Sequence, residues 1–297
     1  MRILVLGGLG MIGHQIYSQL SQEFNQVHVC IRKSASYALK FGLFNPVHIV
    51  DNVDLLHERT LEVTLKNVNP DLIINCAGST LAKTKQLTNS EVIELNALFP
   101  QSLYEWCRSH SAFLIHFSND EVFEGRDIPY DESSLPDARS IYGRAKALGE
   151  IDDSQCLTIR SSFLGPELEN STEFFSRLNQ NPTQKVAASK SHFYCGVSTV
   201  YLAKLVADLI RHGLPLSGLF QVASQPISEF DLLHLLNRQF QWNLQIQEVP
   251  GSTVPHKILS NQKLLRHWPS PPPRWSDMVF ELHRTLEQHG TYQKAAA

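Results

Sequence analysis

Short apolar runs alternate with longer amphipathic segments along the first half of the chain. In order, the runs are RILVLG, VHVCI, PVHIV, DLIINCAG, AFLIHFS and CLTIRSS. Continuous apolar runs of this length are typical of strands that are buried on both faces of a sheet. The segments between them, such as LHERTLEVTLKNV and EVIELNALFPQSLYEWCRSH, have the length of helices. This repeated strand–helix pattern predicts an α/β fold with a parallel, doubly wound sheet.

The pattern becomes less regular after about Ser161. A helix is predicted over STVYLAKLVADLIRH and a strand over SGLFQVA, and Ser228 with Asp231 fits a capping box at the start of the helix FDLLHLLNRQF. The alternating WNLQIQEV is typical of a half-exposed strand, and SPPPRW predicts an extended loop. Because no linker is visible, we predict a first domain over residues 1–160 and a smaller lobe over residues 161–297 that is interwoven with it.

Composition and charge exclude several classes of function. The 297 residues are 42% hydrophobic and carry a net charge of −3, as in an ordinary globular protein. No Lys/Arg cluster is present, which argues against nucleic acid or an anionic membrane as the main partner. The N-terminus leads directly into a strand and no apolar run could span a bilayer, so we expect no signal peptide and no membrane segment. Cytoplasm is therefore the expected location.

The five cysteines are widely spaced and include no C-x-x-C pair. This pattern indicates a reducing compartment, with neither a disulfide framework nor a metal site. The residues are Cys30, Cys76, Cys107, Cys156 and Cys195.

A glycine-rich loop follows the first predicted strand. In GGLGMIGHQI, Gly7, Gly10 and Gly13 form a G-x-x-G-x-x-G motif that encloses Met11 and Ile12, and a helical pattern follows. Glycine permits the tight turn and the close approach of the backbone to a pyrophosphate, while the helix N-terminus supplies free N–H groups. A packing turn is the alternative, but the position between a first strand and a helix favours dinucleotide binding.

The second predicted strand ends at two cations, Arg32 and Lys33. An acidic residue there would bind the ribose 2′-hydroxyl of NAD, whereas arginine accommodates the 2′-phosphate of NADP, so the sequence favours NADP(H). Two solvated surface cations are the alternative. After the third strand, Asp51 and Asn52 are placed to meet the adenine, although Asp51 could equally cap the following loop.

Three small residues, Cys76, Ala77 and Gly78, end the fourth predicted strand. They would let a cofactor lie flat against the sheet. We therefore add them to the predicted cofactor site.

Tyr142 and Lys146 lie four residues apart in SIYGRAKALGE. At helical spacing they share one face and point at one place. A free tyrosine has a pKa of roughly 10, and a nearby ammonium can lower it by roughly 1–3 units. Such a pair can donate a proton to a carbonyl that receives a hydride. A solvated helix face is the alternative, but the position after the fifth strand and the glycine loop favours catalysis.

The chain resembles the extended short-chain dehydrogenase/reductase superfamily, and within it the sugar-nucleotide reductases typified by dTDP-4-dehydrorhamnose reductase. The matching segments are GGLGMIG, PDLIINCAG, ELNALFP, FSNDEVFEG, PYDESSLPDARSIYGRAKALGE, TIRSSFLG and SGLFQVASQPISEFDLL. The resemblance implies a Rossmann-type doubly wound parallel sheet that holds NADPH, and a smaller C-terminal α/β lobe that binds substrate.

The resemblance also implies the reaction, which is reduction of a nucleotide-linked 4-keto-6-deoxysugar. Tyr142 would be the proton donor, and Lys146 would orient the nicotinamide ribose and lower the tyrosine pKa. Substrate groups would come from the 79–85 loop with Ser79 and Thr80, from the stretch after Arg160 with Ser162, and from around Tyr194. We add Asp120 and Glu121 to these predicted substrate residues. Dimers are common in this superfamily, so a homodimer stays open.

The segment FSNDEVFEG departs from the family pattern of Ser-Thr-Asp-aromatic-Val-Phe, whose threonine hydroxyl holds the substrate carbonyl. Asn119 stands at that position. Its amide can hydrogen-bond a carbonyl oxygen but cannot relay a proton, so we expect altered chemistry and not necessarily an inactive site. Asp120 and Glu121 follow, and this order resembles the nucleotide-sugar 4,6-dehydratases, in which a carboxylate pair eliminates water.

Two alternatives to the reductase therefore stay open. A dehydratase or epimerase would use Asp120 and Glu121, but the short chain and the NADP signal of Arg32 argue against it. A non-catalytic NADP-binding regulatory subunit is the other, since the regulatory subunit of methionine adenosyltransferase resembles the same reductases. Asn119 favours this reading, whereas the intact Tyr142 and Lys146 count against it.

Overall fold

A computed structural model describes residues 1–169, 172–250 and 256–289. In these ranges the strands are β1 (Ile3–Leu6), β2 (Val27–Cys30), β3 (Ile49–Val50), β4 (Leu72–Asn75), β5 (Phe113–Ser118), β6 (Cys156–Arg160), β7 (Phe163–Leu164), β8 (Lys185–Ser189), β9 (Phe193–Tyr194), β10 (Val197–Ser198), β11 (Gly218–Gln221), β12 (Ile227–Ser228) and β13 (Gln245–Val249). The α-helices are α1 (Gly13–Glu23), α2 (Ala35–Leu39), α3 (Glu58–Val68), α4 (Leu81–Thr84), α5 (Asn89–Ile93), α6 (Phe99–Ser109), α7 (Ile141–Leu148), α8 (Phe174–Gln180), α9 (Thr199–Arg211), α10 (Glu229–Gln239), α11 (Gln262–His267) and α12 (Trp275–His289).

The main sheet is parallel throughout and has the strand order β11-β6-β5-β4-β1-β2-β3. Strand β1 lies between β2 and β4, so that Leu6 pairs with both Cys30 and Asn75. The strand order reverses between β1 and β4, and ligands bind at such a switch point beyond the carboxyl ends of the strands. The predicted Rossmann-type doubly wound sheet is confirmed.

Alternate residues of the central strands fill two separate cores, because successive side chains of a strand point to opposite faces. Ile3 and Val5 of β1 belong to the core on the side of α1 and α9, whereas Leu4 and Leu6 belong to the core on the side of α6. All four are fully buried. Covering helices on both faces explain why these strands are continuously apolar.

Short strand pairs build the rest of the C-terminal half. β7 pairs with β10, β9 with β12 and β8 with β13, each as a two-stranded sheet. Strand β11 also lies beyond residue 160, yet it pairs with β6 in the main sheet. The domain boundary at residue 160 stays a prediction, and residues 290–297 of the predicted lobe lie outside the described ranges.

The two predicted helix starts in this half are present. Ser198 caps α9 by accepting a 3.1 Å hydrogen bond from the Tyr201 N–H, and Ser228 caps α10 through the Asp231 N–H at 3.0 Å. Within the described ranges, no helix combines the length and the apolar character that crossing a bilayer requires.

Candidate active site

The glycine loop lies between β1 and α1, as the motif predicts. Gly7 has a φ of 74°, and a Cβ added there would lie 2.9 Å from the Ala77 backbone nitrogen. A Cβ on Gly13 would overlap the carbonyl oxygen of Gly7. Side chains at these positions would separate the loop from the end of β4 and from the start of α1, so glycine is required for the close packing.

A cleft of about 540 Å³ opens above this loop, at the carboxyl ends of β1, β2 and β4. It brings together most of the residues predicted to bind a cofactor. Those that line it are Gly7, Gly10, Met11, Arg32, Lys33, Cys76, Ala77 and Gly78, and the predicted substrate residue Ser79 lines it too. The cleft lies at the switch point of the sheet, where a dinucleotide is expected.

Asp51 was predicted to meet the adenine or to cap the loop that follows it, but in the structure it holds the start of α2, which precedes it in the chain. Its Oδ2 accepts a 2.7 Å hydrogen bond from the Ala35 N–H at the start of α2. Neither Asp51 nor Asn52 is among the described residues that line the cleft, and Val53 and Asp54 line it instead. Ile12 and Gly13 lie behind the lining residues because they form the turn into α1.

The far wall of the cleft comes from residues that were not among the predicted cofactor-binding residues. Glu167, Glu169 and Thr172 line the cleft from beyond β7. Glu167 Oε2 accepts hydrogen bonds of 2.8 Å from the backbone N–H groups of Thr172 and Glu173. The C-terminal half therefore closes one side of the cleft, and no local pattern marks such a contact in advance.

Tyr142 and Asn119 meet at the carboxyl end of β5. The Asn119 amide nitrogen donates a 2.7 Å hydrogen bond to the Tyr142 hydroxyl, while the Asn119 Oδ1 accepts from the Glu121 N–H at 3.3 Å. The second bond fixes which way the amide faces. Ser140 caps the helix that carries Tyr142 by accepting from the Gly143 N–H at 3.0 Å.

Lys146 lies on the same helix face, one turn after Tyr142. It is 7% exposed, and its Nζ donates a 2.9 Å hydrogen bond to the Phe117 carbonyl. A Cβ added to Gly78 would lie 3.5 Å from this Nζ, so the ammonium sits against the floor of the cleft. Lys146 therefore lies beside Gly78 of the cleft, whereas neither Tyr142 nor Lys146 is among the described residues that line it.

Burial changes the pKa values of both groups. Burial lowers the pKa of Lys146 to about 8, although the Glu150 carboxylate acts in the opposite direction. Burial also raises the pKa of Tyr142, the Asn119 hydrogen bond lowers it, and the charges of Glu121 and Asp120 raise it further. The net direction for Tyr142 is upward, which is opposite to the predicted one, because burial outweighs the stabilisation of the phenolate.

Sequence comparison assigns the family. The sequence model of the family described as the RmlD substrate binding domain matches residues 1–282. The chain belongs to this family. The predicted resemblance to dTDP-4-dehydrorhamnose reductase-like proteins is thereby confirmed.

Two curated relatives and one solved structure illustrate the range of similar proteins. Methionine adenosyltransferase 2 subunit beta of Xenopus laevis is 28% identical over 149 residues, which are 50% of this chain and only 41% of that protein. The dTDP-4-keto-6-deoxy-D-glucose reductase of Streptomyces niveus is 28% identical over 230 residues, which are 75% of this chain and 73% of that protein. The dTDP-4-dehydrorhamnose reductase of Bacillus anthracis, solved in complex with NADP, has a TM-score of 0.75 at 17% identity and covers 96% of this chain and 99% of its own.

The predicted substrate residues of this RmlD-family chain fall into two groups. Burial raises the pKa of Asp120, Ser162 and Lys257 lower it, and the Glu121 charge raises it. The Asp120 charge in turn raises the pKa of Tyr194, which burial already places well above its usual value. Asp120, Glu121, Ser162 and Tyr194 therefore form one neighbourhood.

Ser79 and Thr80 form the second group, which follows the end of β4. The Asn96 amide holds Ser79 by donating to its Oγ at 2.8 Å and by accepting from its N–H at 3.3 Å. The Thr80 carbonyl oxygen accepts a 3.0 Å hydrogen bond from the Thr84 N–H, at the start of α4. Asn96 lies in a π-helical turn, Glu94–Leu98, within the segment ELNALFP, which carried the resemblance without an assigned role.

Lys257, which the sequence did not indicate, forms an ion pair with the predicted substrate residue Glu121. Its Nζ lies 2.8 Å from Glu121 Oε2. The two residues are 136 positions apart, so no local pattern could have predicted the pair.

Proposed function

We propose that this protein is an NADPH-dependent reductase of a nucleotide-linked 4-keto-6-deoxysugar. The observation that carries the proposal is the convergence of Asn119, Tyr142 and Lys146 at the carboxyl end of β5, next to the cleft. A hydrogen-bond donor, a proton donor and a cation at one place are the groups that carbonyl reduction requires.

The cleft suits a dinucleotide with a 2′-phosphate. Its glycine loop has no room for side chains at Gly7 and Gly13, and a glycine-rich turn into a helix N-terminus is the arrangement that binds a pyrophosphate. The exposed Arg32 and Lys33 would bind the 2′-phosphate. The NADP complex of the Bacillus anthracis reductase, a similar fold, supports a nicotinamide dinucleotide as the ligand of this cleft. When bound, NADPH would supply the hydride for the carbonyl carbon.

The direction of the Asn119–Tyr142 hydrogen bond suits proton donation. Because the Asn119 amide donates to the Tyr142 oxygen, the tyrosine keeps its own proton for the substrate oxygen. The second N–H of the same amide can bind that oxygen as negative charge develops on it. Lys146 would stabilise the phenolate that remains and hold the nicotinamide ribose.

The sugar would lie between the two groups of predicted substrate residues. On one side are Asp120, Glu121, Ser162 and Tyr194, and on the other are Ser79 and Thr80. The Streptomyces niveus relative is named as a reductase of dTDP-4-keto-6-deoxy-D-glucose, which supports this class of substrate.

A dehydratase is less favoured, because Glu121 is paired with Lys257 and not free to act as a base. A regulatory role has one specific observation in its favour, namely the match of half of this chain to methionine adenosyltransferase 2 subunit beta. In that role the protein would bind NADP without turnover and would form a hetero-complex with a partner protein.

The test is NADPH oxidation by the purified protein with dTDP-, UDP- and GDP-linked 4-keto-6-deoxysugars. Oxidation with one of these substrates that is lost in Tyr142→Phe supports the reductase. The matched control is Tyr104→Phe, a tyrosine on α6 outside the cleft. If the protein binds NADPH but oxidises it with none of the sugars, the reductase proposal is wrong for this panel and the regulatory role gains weight.

A further inference from the structure

The ion pair between Lys257 and Glu121 joins the end of β5 to the C-terminal part of the chain. The Nζ–Oε2 distance is 2.8 Å, and the two side chains are 26% and 29% exposed. Water screens a partly buried pair less than a surface pair, so the attraction between them is retained at physiological salt.

The backbone of Glu121 is held in place on two sides. Its N–H donates to Asn119 Oδ1 at 3.3 Å. Its carbonyl oxygen lies so close to Gly143 that a Cβ there would overlap it. The side chain of Glu121 therefore leaves the turn Asp120–Val122 from a position fixed relative to Asn119 and to the helix that carries Tyr142.

The segment that carries Lys257 is held equally well. The His256 carbonyl accepts the Arg126 N–H at 2.9 Å, and the Ile258 carbonyl accepts the Tyr130 N–H at 2.8 Å. The Leu259 N–H donates to the Cys195 Sγ at 3.2 Å. The backbone on both sides of Lys257 is therefore held by hydrogen bonds, so the ion pair joins two fixed segments of the chain.

Without Lys257, the carboxylate of Glu121 would be a second reactive group beside the keto sugar. A carbon next to a carbonyl can lose a proton to a nearby carboxylate. In that step the C–H bond breaks, an O–H bond forms on Glu121, and the electron pair moves to the carbonyl oxygen, which Tyr142 would hydrogen-bond. If the proton on Glu121 is replaced by one from solvent before the step reverses, the sugar carbon receives a solvent proton. Reduction by hydride needs none of this.

We propose that Lys257 is a positioning residue that holds the Glu121 carboxylate away from the substrate and so restricts this site to reduction. The inference rests on the proposed reductase function, because it concerns which reactions a bound keto sugar undergoes. It assigns Lys257 a part in reaction specificity through its contact with Glu121.

The experiment measures deuterium incorporation from D₂O into the sugar carbons. Native protein, Lys257→Met, Lys257→Gln and Lys257→Arg are each incubated with NADPH and dTDP-4-keto-6-deoxyglucose, and the sugars are returned to water and analysed by mass spectrometry. A protein-free sample corrects for spontaneous exchange. The double variant Glu121→Gln/Lys257→Met tests whether any exchange depends on Glu121, and thermal unfolding with NADPH titration reports whether each variant is folded.

We expect native protein and Lys257→Arg to add no carbon-bound deuterium above the protein-free sample. Lys257→Met and Lys257→Gln should exceed the native level at least about tenfold, a modest part of the roughly 10²–10⁴-fold range of general-base catalysis. The double variant should return to the native level. Folded Lys257 variants without added deuterium, or a native protein that already incorporates it, would overturn the inference.

The experiment distinguishes failure of the reductase proposal from failure of the inference about Lys257. Should native protein oxidise no NADPH with this sugar, the reductase proposal is wrong for it, and deuterium is then measured in the recovered keto sugar. Exchange in Lys257→Met that disappears in the double variant then supports the part of the inference that Lys257 keeps Glu121 from acting as a base, and its absence contradicts that part.

Discussion

The Asn119 amide donates a 2.7 Å hydrogen bond to the Tyr142 hydroxyl across 23 positions of sequence. Tyr142 is only 4% exposed, and the bond opposes the effect of burial by lowering the tyrosine pKa. Asn119 departs from the threonine of the pattern that the chain resembles, and its amide contacts the hydroxyl of Tyr142.

Replacing Asn119 by alanine should reduce kcat/KM for the keto sugar by about 10²–10³, because one donor to the developing oxyanion is lost. Asn119→Thr should retain much more activity, since a hydroxyl can donate to the same oxygen. Steady-state NADPH oxidation measures both variants. Equal activity of Asn119→Ala and native protein would show that the amide takes no part in the reaction.

Activity should decline as the pH rises through about 8, the pKa to which burial lowers Lys146. Lysine carries its charge below its pKa, so the ammonium that stabilises the phenolate is lost above it, and kcat/KM should then fall by about tenfold per pH unit. A pH profile of kcat/KM tests this. In Lys146→Arg the decline should move to higher pH because arginine keeps its charge, and an unchanged profile would assign the decline to another group.

Arg32→Ala should weaken NADPH binding by about 10–100-fold, the range expected for losing a charge-assisted contact to the 2′-phosphate. NADH binding should change less than about twofold, since it has no 2′-phosphate to contact. Fluorescence titration gives both dissociation constants. Lys40→Ala is the matched control, because Lys40 is also exposed and lies near Tyr37 but does not line the cleft. Equal losses for both cofactors would contradict the assignment.

His116 should make the fold sensitive to acid. It is fully buried beside Asn75, whose amide nitrogen lies 3.2 Å from its Nδ1, and burial together with the Lys146 charge holds its pKa well below 6.5. The unfolded chain binds a proton at this histidine below pH 6.5 and the folded chain does not. The free energy of unfolding should therefore fall as the pH drops below 6.5, by up to about 1.4 kcal/mol per pH unit from this group.

Urea denaturation between pH 7.5 and pH 5 measures this slope. In His116→Gln the free energy of unfolding should depend less steeply on pH, because the contribution of this histidine is removed. His57→Asn, at an exposed position, should keep the native slope. If His116→Gln shows the full native slope, the acid sensitivity arises elsewhere.

Local patterns were sufficient for much of the fold and for the positions of the reactive groups. Continuous apolar runs predicted β1 to β6 because strands covered on both faces have no polar side to display. The glycine spacing predicted the turn from β1 into α1, since sterics allow few residues there. The four-residue spacing of Tyr142 and Lys146 placed both on one helix face. Each of these signals lies within a few neighbouring residues.

The tertiary structure alone decided what those groups touch. The packing of distant segments places Asp51 at the start of α2. It also places Glu167 and Glu169 in the wall of the cleft. The pKa of Tyr142 follows from its burial, and the pairing of Glu121 with Lys257 joins residues 136 positions apart. Sterics and periodicity act between neighbours in the chain and leave a local pattern, whereas burial and long-range ion pairs arise only when the whole chain has folded.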